Sequence, residues 1–227
     1  MTWPSVGSSV ARVECKVICI SHATGAGGEE VGRLVADELG FLYVDDEIVA
    51  RAAAKAGVGP DEVADAERRR SLIVRALDAI AQGGGETWTI GTVGLPPTGR
   101  ELGRYDLLAL VREAIEQAAA RGNVVIVAHA ASHVVARSPE ALRVLVTASP
   151  DNRAKRLAEL EGIDVGEARR KIKDADAGRR DYLKSFHDVD QEAPTHYDLV
   201  LNTDNLPIDE AARVVSLLSR APERAAS

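Results

Sequence analysis

The sequence predicts a three-layer α/β fold, a five-stranded parallel sheet with helices on both faces. Three observations predict it. Five short runs of apolar, mostly branched residues recur along the chain, with stretches of helical periodicity between most of them. The first run leads into a glycine-rich turn that opens a helix. Aromatic residues make up only 4% of a chain that is 45% apolar, so the core must rest on Val, Leu, Ile and Ala. Strands separated by helices imply right-handed crossovers and a parallel sheet covered on both sides.

Taken in order, Val13–Ile20 reads as a buried strand, and Thr24-Gly25-Ala26-Gly27-Gly28 as a turn. A helix follows over Glu29–Leu39, with Val31, Leu34, Val35 and Leu39 on one face and Gly40 as its stop. Phe41–Val44 is the second strand. Helical spacing covers about Asp46–Ala56 and Pro60–Gln82, where Pro60 suits a first-turn position. The stretch Gly83–Gly103, with three consecutive glycines, Trp88 and Pro96-Pro97, breaks the pattern as a long loop does. Arg104–Arg121 returns to helix, Val124–Val127 and Leu142–Thr147 are strands three and four, and helices follow from Asp151 and over Val165–Phe186. Leu199–Asn202 is the fifth strand and Pro207–Leu218 the closing helix. One domain is expected over residues 13–219, with 1–12 and 220–227 as flexible tails.

The 227 residues carry a formal charge of −7, which argues against coating nucleic acid, a role that needs a basic footprint. No apolar run approaches the roughly 18–20 residues of a membrane span, and no signal-peptide pattern opens the chain. A cytoplasmic protein is expected. Cys15 and Cys19 stand four apart on a strand, about 13 Å at ~3.3 Å per residue, too far for a bridge between them. They read as reduced core cysteines.

A strand, a glycine turn and a helix start make an anion site, because unpaired N–H groups and the helix dipole favour phosphate. Two schemes compete for it. A dinucleotide fingerprint fits Gly25 and Gly27 but puts Glu30 where the third glycine belongs, although Asp45, 20 residues beyond Gly25, stands where a ribose-binding acid would. A Walker-type loop also fits Gly25 and Gly27, but puts Gly28 in place of the lysine and Glu29 in place of the magnesium-binding hydroxyl.

The run Ile20-Ser21-His22-Ala23-Thr24-Gly25-Ala26-Gly27-Gly28-Glu29-Glu30-Val31-Gly32, followed by Tyr43-Val44-Asp45-Asp46-Glu47-Ile48, resembles the cytidylate-kinase-like family of P-loop proteins. The resemblance continues through Val124–Ala131, Leu142-Arg143-Val144, Asp151–Leu157, Arg179-Arg180-Asp181-Tyr182 and Tyr197–Thr203, so it covers nearly the whole chain. It implies a P-loop nucleoside-monophosphate-kinase fold, an acceptor-binding region over 46–103 and an arginine-bearing lid over 164–192. It further implies ATP and Mg²⁺ as cofactors, though no metal ligand is identifiable, and a nucleotide and a small acceptor as partners. The sequence departs from the family at His22, where Arg is usual, and at Ala128-His129, where Gly-Arg is usual. The lysine and hydroxyl of active cytidylate kinases are missing at Gly28 and Glu29, and their Asp-Gly-Arg aligns with Val127-Ala128-His129.

The resemblance assigns phosphate cradling to Thr24, Gly25, Ala26, Gly27, Gly28 and Glu29, with Glu29 either reaching a bridging Mg²⁺ or serving as a good first-turn residue. Asp151 to Asp190 holds Arg153, Lys155, Arg156, Arg169, Arg170, Lys171, Lys173, Arg179, Arg180 and Lys184, ten of the chain's 28 basic residues. Of these the resemblance points to Arg153, Arg156, Arg179 and Arg180 as catalytic contacts on the transferring phosphate. Interleaved acids allow a solvated helix face as well. Asp45 either positions the acceptor or caps the next helix, and His129 is a substrate contact or a structural histidine. His129 and His133 have the spacing of two metal ligands but no carboxylate partner in sequence. Trp88 suits base stacking or a dimer contact, so a homodimer is among the expected forms. The expected activity is transfer of a phosphoryl group from ATP to a nucleoside monophosphate or related acceptor. The alternative is a nucleotide sensor or scaffold that has lost transfer.

Overall fold

The computed structural model describes residues 14–45, 104–128, 131–135, 137–190 and 192–220. Five strands, β1 (Val17–His22), β2 (Leu42–Asp45), β3 (Val124–Val127), β4 (Ala141–Thr147) and β5 (Leu199–Asn202), form one sheet in the order β2-β3-β1-β4-β5. Every pairing is parallel. The helices are α1 (Gly28–Leu39), α2 (Arg104–Arg121), the single turn α3 (Ala131–Val134), α4 (Pro150–Glu161), α5 (Val165–His187) and α6 (Ile208–Ser219). The expected fold class is the one observed. The expected helices over 46–82, the loop over 83–103 with Trp88, and the two tails lie outside the described residues.

β1 is central and has no exposed residue, which is why its sequence is a continuous apolar run rather than an alternating one. On one face Ile18, Ile20, Val127, Val144 and Val146 pack against α1 and α6 through Val31, Val35, Ala211 and Val215. On the other, Cys19, Val44, Val124 and Ile126 meet Ala114, Ile115 and Ala118 of α2. Cys15 and Cys19 are buried and form no disulfide with each other, and burial pushes the Cys19 thiol up to about 12, so it stays protonated and unreactive.

The first strand starts four residues later than the apolar pattern suggests and runs two residues further. Its ladder begins at Val17, opposite Val124 and Ala141, and ends with Ser21 and His22 opposite Leu145 and Val146. Ser21 and His22 are therefore sheet residues, and the glycine turn is anchored right behind them. α5 is one unbroken helix of 23 residues, joined to α4 by a short turn and packed on it through Ala154, Leu157, Ala158, Ala168 and Ile172. Among the described residues no helix is long and apolar enough to cross a membrane.

Candidate functional site

The chain passes from β3 to β4 across β1, so the carboxyl end of β1 is a topological switch point, where ligands of open α/β sheets bind. The glycine turn sits there. Gly25 and Gly27 have φ of +78° and +82°, values that side-chain-bearing residues avoid. Space is tight as well. A Cβ on Gly25 would stand 2.6 Å from the Arg153 carbonyl, and one on Gly27 would stand 2.3 Å from Ile208 Cδ1. Gly27 is also the N-cap of α1, and among the described residues no side chain caps that helix. The first N–H groups of α1 thus remain for a ligand or water, next to the positive end of the helix dipole.

The carbonyl groups at the turn are held from behind. Arg153 Nε donates to Thr24 O at 2.7 Å, Arg156 Nη1 to Gly25 O at 3.0 Å, and Arg179 Nη1 to His22 O at 2.8 Å. Thr203 Oγ1 adds a bond to Ala26 O at 2.8 Å. Three arginines from two helices and one threonine from the end of β5 therefore tie four carbonyl oxygens around the turn. Arg153, 6% exposed, also forks onto Asp176, with Nη2 2.6 Å from Oδ1. Arg179, 8% exposed, forks onto Glu192, whose other proton donor is the Tyr197 hydroxyl. Arg156 differs. Its remaining bonds go to Thr203 Oγ1 and Thr203 O, with no carboxylate partner among the described residues.

Sequence proximity explains none of this convergence. α4 starts at the turn because Ser149 caps it, accepting from Asn152 N, and Asp204 binds Ser149 N, Ser149 Oγ and Asn152 Nδ2. Those hydrogen bonds, the Ser149 amide first, hold the Asp204 carboxyl below its usual range. α4 then presents Arg153 and Arg156 at helical spacing on the side that meets the turn.

The remaining expected site residues fall further out. Thr24 is half-buried, Ala26 and Gly28 are buried and Glu29 is exposed in the first turn of α1. Arg180 is exposed and lines a cavity of about 310 Å³ between α4 and α5, with Asp151, Arg169, Lys173 and Asp176. The Arg153–Asp176 pair separates it from the turn. Asp45 ends β2, two strands from β1, with Oδ2 3.5 Å from Arg33, and that guanidinium lies 4.5 Å over the Tyr43 ring. His129 lies outside the described residues. Among those described, no group of three or more His, Cys, Asp or Glu side chains could hold a metal ion.

One grouping has no counterpart in the sequence pattern. The His133 ring on α3 stands 5.8 Å from His187 at the end of α5, 5.6 Å from His196 and 6.1 Å from Tyr197, and Tyr182 lies 5.5 Å from His187. Burial first, then the charge of His187, pushes His133 down to about 4, against the pull of Glu192. Burial and Arg112 lower His187. Glu192 and Arg179 are near enough to act on the His133 charge, and Tyr197 of this grouping donates to Glu192. The sequence separations of the rings follow no helical or strand period, so only the folded chain brings them together.

The sequence pattern of the cytidylate kinase-like family matches residues 17–205. A cytidylate kinase of Chloroflexus aggregans is 30% identical over 222 residues, which span 88% of this chain and 93% of that protein. A cytidylate kinase of Methanopyrus kandleri is 33% identical over 107 residues, 44% of this chain and only about half, 55%, of that protein's length. Among solved structures, an uncharacterized protein of Eubacterium ventriosum superposes with a TM-score of 0.58 at 17% identity, covering 89% of this chain and 97% of its own, a likeness of fold.

Proposed function

The chain belongs to the cytidylate kinase-like family, and from that premise we propose that it binds ATP on the glycine turn and transfers its terminal phosphoryl group to a nucleoside monophosphate or related small acceptor. One observation carries this reading. The turn has its carbonyl groups tied away by Arg153, Arg156, Arg179 and Thr203, while the N–H groups at the start of α1 have no cap. Such a nest of amide donors suits the oxygens of a polyphosphate.

In this reading Thr24, Gly25, Ala26, Gly27 and Gly28 hold the phosphates through main-chain donors. Arg153, Arg156 and Arg179 add positive charge behind the turn, and Arg180, beyond the Arg153–Asp176 pair, stays with the lid. Phosphoryl transfer depends almost wholly on such positioning and charge stabilisation. Mg²⁺ supplies neutralisation of the phosphate oxygens when bound. With no three-residue metal cluster among the described residues, it would arrive on the nucleotide, with Glu29 as the carboxylate at the turn. Asp45 and His129 are assigned to the acceptor side. The charge pattern and the reduced cysteines favour a cytoplasmic setting, and a homodimer is compatible with this role.

A second reading, a nucleotide sensor without turnover, draws on the commitment of Arg153 to Asp176 and of Arg179 to Glu192. The two readings part in one experiment. Thermal unfolding with ATP, ADP, CMP and AMP, each with and without Mg²⁺, is followed by product analysis of the ligands that shift the midpoint. A ligand at 100 times its dissociation constant adds about 2.7 kcal/mol, several degrees for this size of domain. The kinase reading expects a Mg²⁺-dependent ATP shift and a phosphorylated acceptor; the sensor reading expects the shift alone. Gly27→Val, which drives a side chain into Ile208 at a left-handed backbone position, should remove the shift. Unaltered affinity in that variant excludes the turn as the site.

A further inference from the structure

His22 and Gly28 compete for one space. A Cβ built on Gly28 would stand 2.2 Å from His22 Cβ, 2.5 Å from Cγ and 3.0 Å from Cδ2. Real Cβ atoms do not approach side chains so closely, so a side chain at position 28 requires position 22 to be empty, and the reverse. In a Walker loop the two positions are filled the other way: the opening glycine falls at 22 and the lysine at 28. We propose that His22 and Gly28 are an exchanged pair, in which the His22 imidazole is the side chain that faces the polyphosphate and does the work a lysine at 28 would do.

The surroundings hold the backbone that carries that imidazole. His22 is the last residue of β1 and 8% exposed. Its carbonyl is held by Arg179, and the next amide, Ala23 N, donates to Val146 O at 3.0 Å. With the backbone pinned on both sides, the ring lies beside Gly28 at the start of α1, its Cγ and Cδ2 2.5 and 3.0 Å from where a Cβ there would stand. An imidazole N–H donates to a phosphate oxygen as an ammonium does, with shorter reach and less charge. The loop is then equipped with a side-chain donor after all, one that enters from the strand and not from the helix. This inference rests on the proposed ATP role of the turn, and it names the side chain on which that role depends.

Two measurements on the full chain test it. The first needs no nucleotide: unfolding midpoints of wild type, Gly28→Ala, His22→Gly and the double variant. Gly28→Ala should lower the midpoint by several degrees in the wild-type background, as overpacking does, and leave it unchanged when His22 is Gly. Equal effects in both backgrounds overturn the exchanged pair. The second is calorimetric affinity for MgATP and for inorganic triphosphate. His22→Phe keeps a ring but removes the donor, and should weaken binding about tenfold to a hundredfold, the worth of a hydrogen bond to a charged group. His22→Arg should bind at least as tightly as wild type, and His22→Gly with Gly28→Lys should restore binding to within about threefold. Wild-type affinity in His22→Phe overturns the proposal and leaves the ATP reading standing. A wild type that binds neither probe overturns both. Should the Gly–Lys exchange not fold, Phe and Arg at position 22 decide the matter alone.

Discussion

The molecule buries arginines at two places and uses them differently. Toward the amino-terminal side of the sheet, Arg143 of β4 spends its backbone N–H, Nε and Nη2 on the carboxylate of Asp198, just before β5. Burial pushes the Asp198 carboxyl up, but those hydrogen bonds and the Arg143 charge more than offset it and hold it below its usual range. At the carboxyl edge, Arg153, Arg156 and Arg179 each give a donor first to a main-chain carbonyl at the glycine turn. An arginine that gives three donors to one carboxylate at the start of the neighbouring strand staples two strands. One that holds a loop carbonyl decides which way the loop's amide groups face. The same residue type joins two strands in one place and holds the glycine turn in the other.

The comparison breaks most clearly at Asp198. Asp198→Asn leaves Arg143 buried against a neutral partner and should cost about 2–3 kcal/mol of stability, while nucleotide affinity stays within about twofold. Denaturant unfolding and calorimetry on the same preparation check both halves. A fall in affinity would mean that the staple also shapes the turn. Arg156→Met should show the opposite balance. Arg156 has no carboxylate to leave behind, so stability should fall by only about 1 kcal/mol, yet Gly25 O is released and ATP affinity should drop about tenfold. If stability falls steeply and affinity holds, Arg156 is a staple like Arg143.

A further effect, read by pH and not by substitution alone, concerns the histidines grouped around His133. His133 is held down to about 4 in the fold against its ordinary 6.5, and His187 is shifted the same way. Between those values the unfolded chain binds more protons than the folded one. Their contribution is therefore whole above about pH 7 and is lost as pH falls from about 6.5 toward 4. Thermal midpoints across that range should decline, and His133→Phe should flatten the decline. An unchanged slope would show that His133 takes up its proton in the fold as readily as outside it.

The strands at Val124–Val127 and Leu199–Asn202 were legible to the residue because short branched runs between helical periods admit one reading. The turn was legible as well, since glycines behind a buried strand point to an anion site. The residues alone show the arginines only as a cluster, from which the family resemblance picks Arg153, Arg156, Arg179 and Arg180. Their spacing on α4 and α5 says nothing of which carbonyl each will hold, and Glu192 and Thr203 carry no signal at all before the chain folds. Nor does any period join His133, His187 and His196.

Alternation of apolar runs and helices, a local property, was thus enough to determine the parallel sheet, and the glycine turn followed from the few residues that form it. What only tertiary structure decided is where donors and side chains meet across more than a hundred residues of chain: Arg179 on the His22 carbonyl, Arg153 on that of Thr24, Thr203 on that of Ala26. Those contacts are set by the order β2-β3-β1-β4-β5, which lays the start of α4 and the end of β5 against the turn. Even His22 and Gly28, six residues apart, became rivals for one space only when α1 folded back against the end of β1. Periodicity is written residue by residue, whereas exclusion between two side chains exists only once the packing has brought them together.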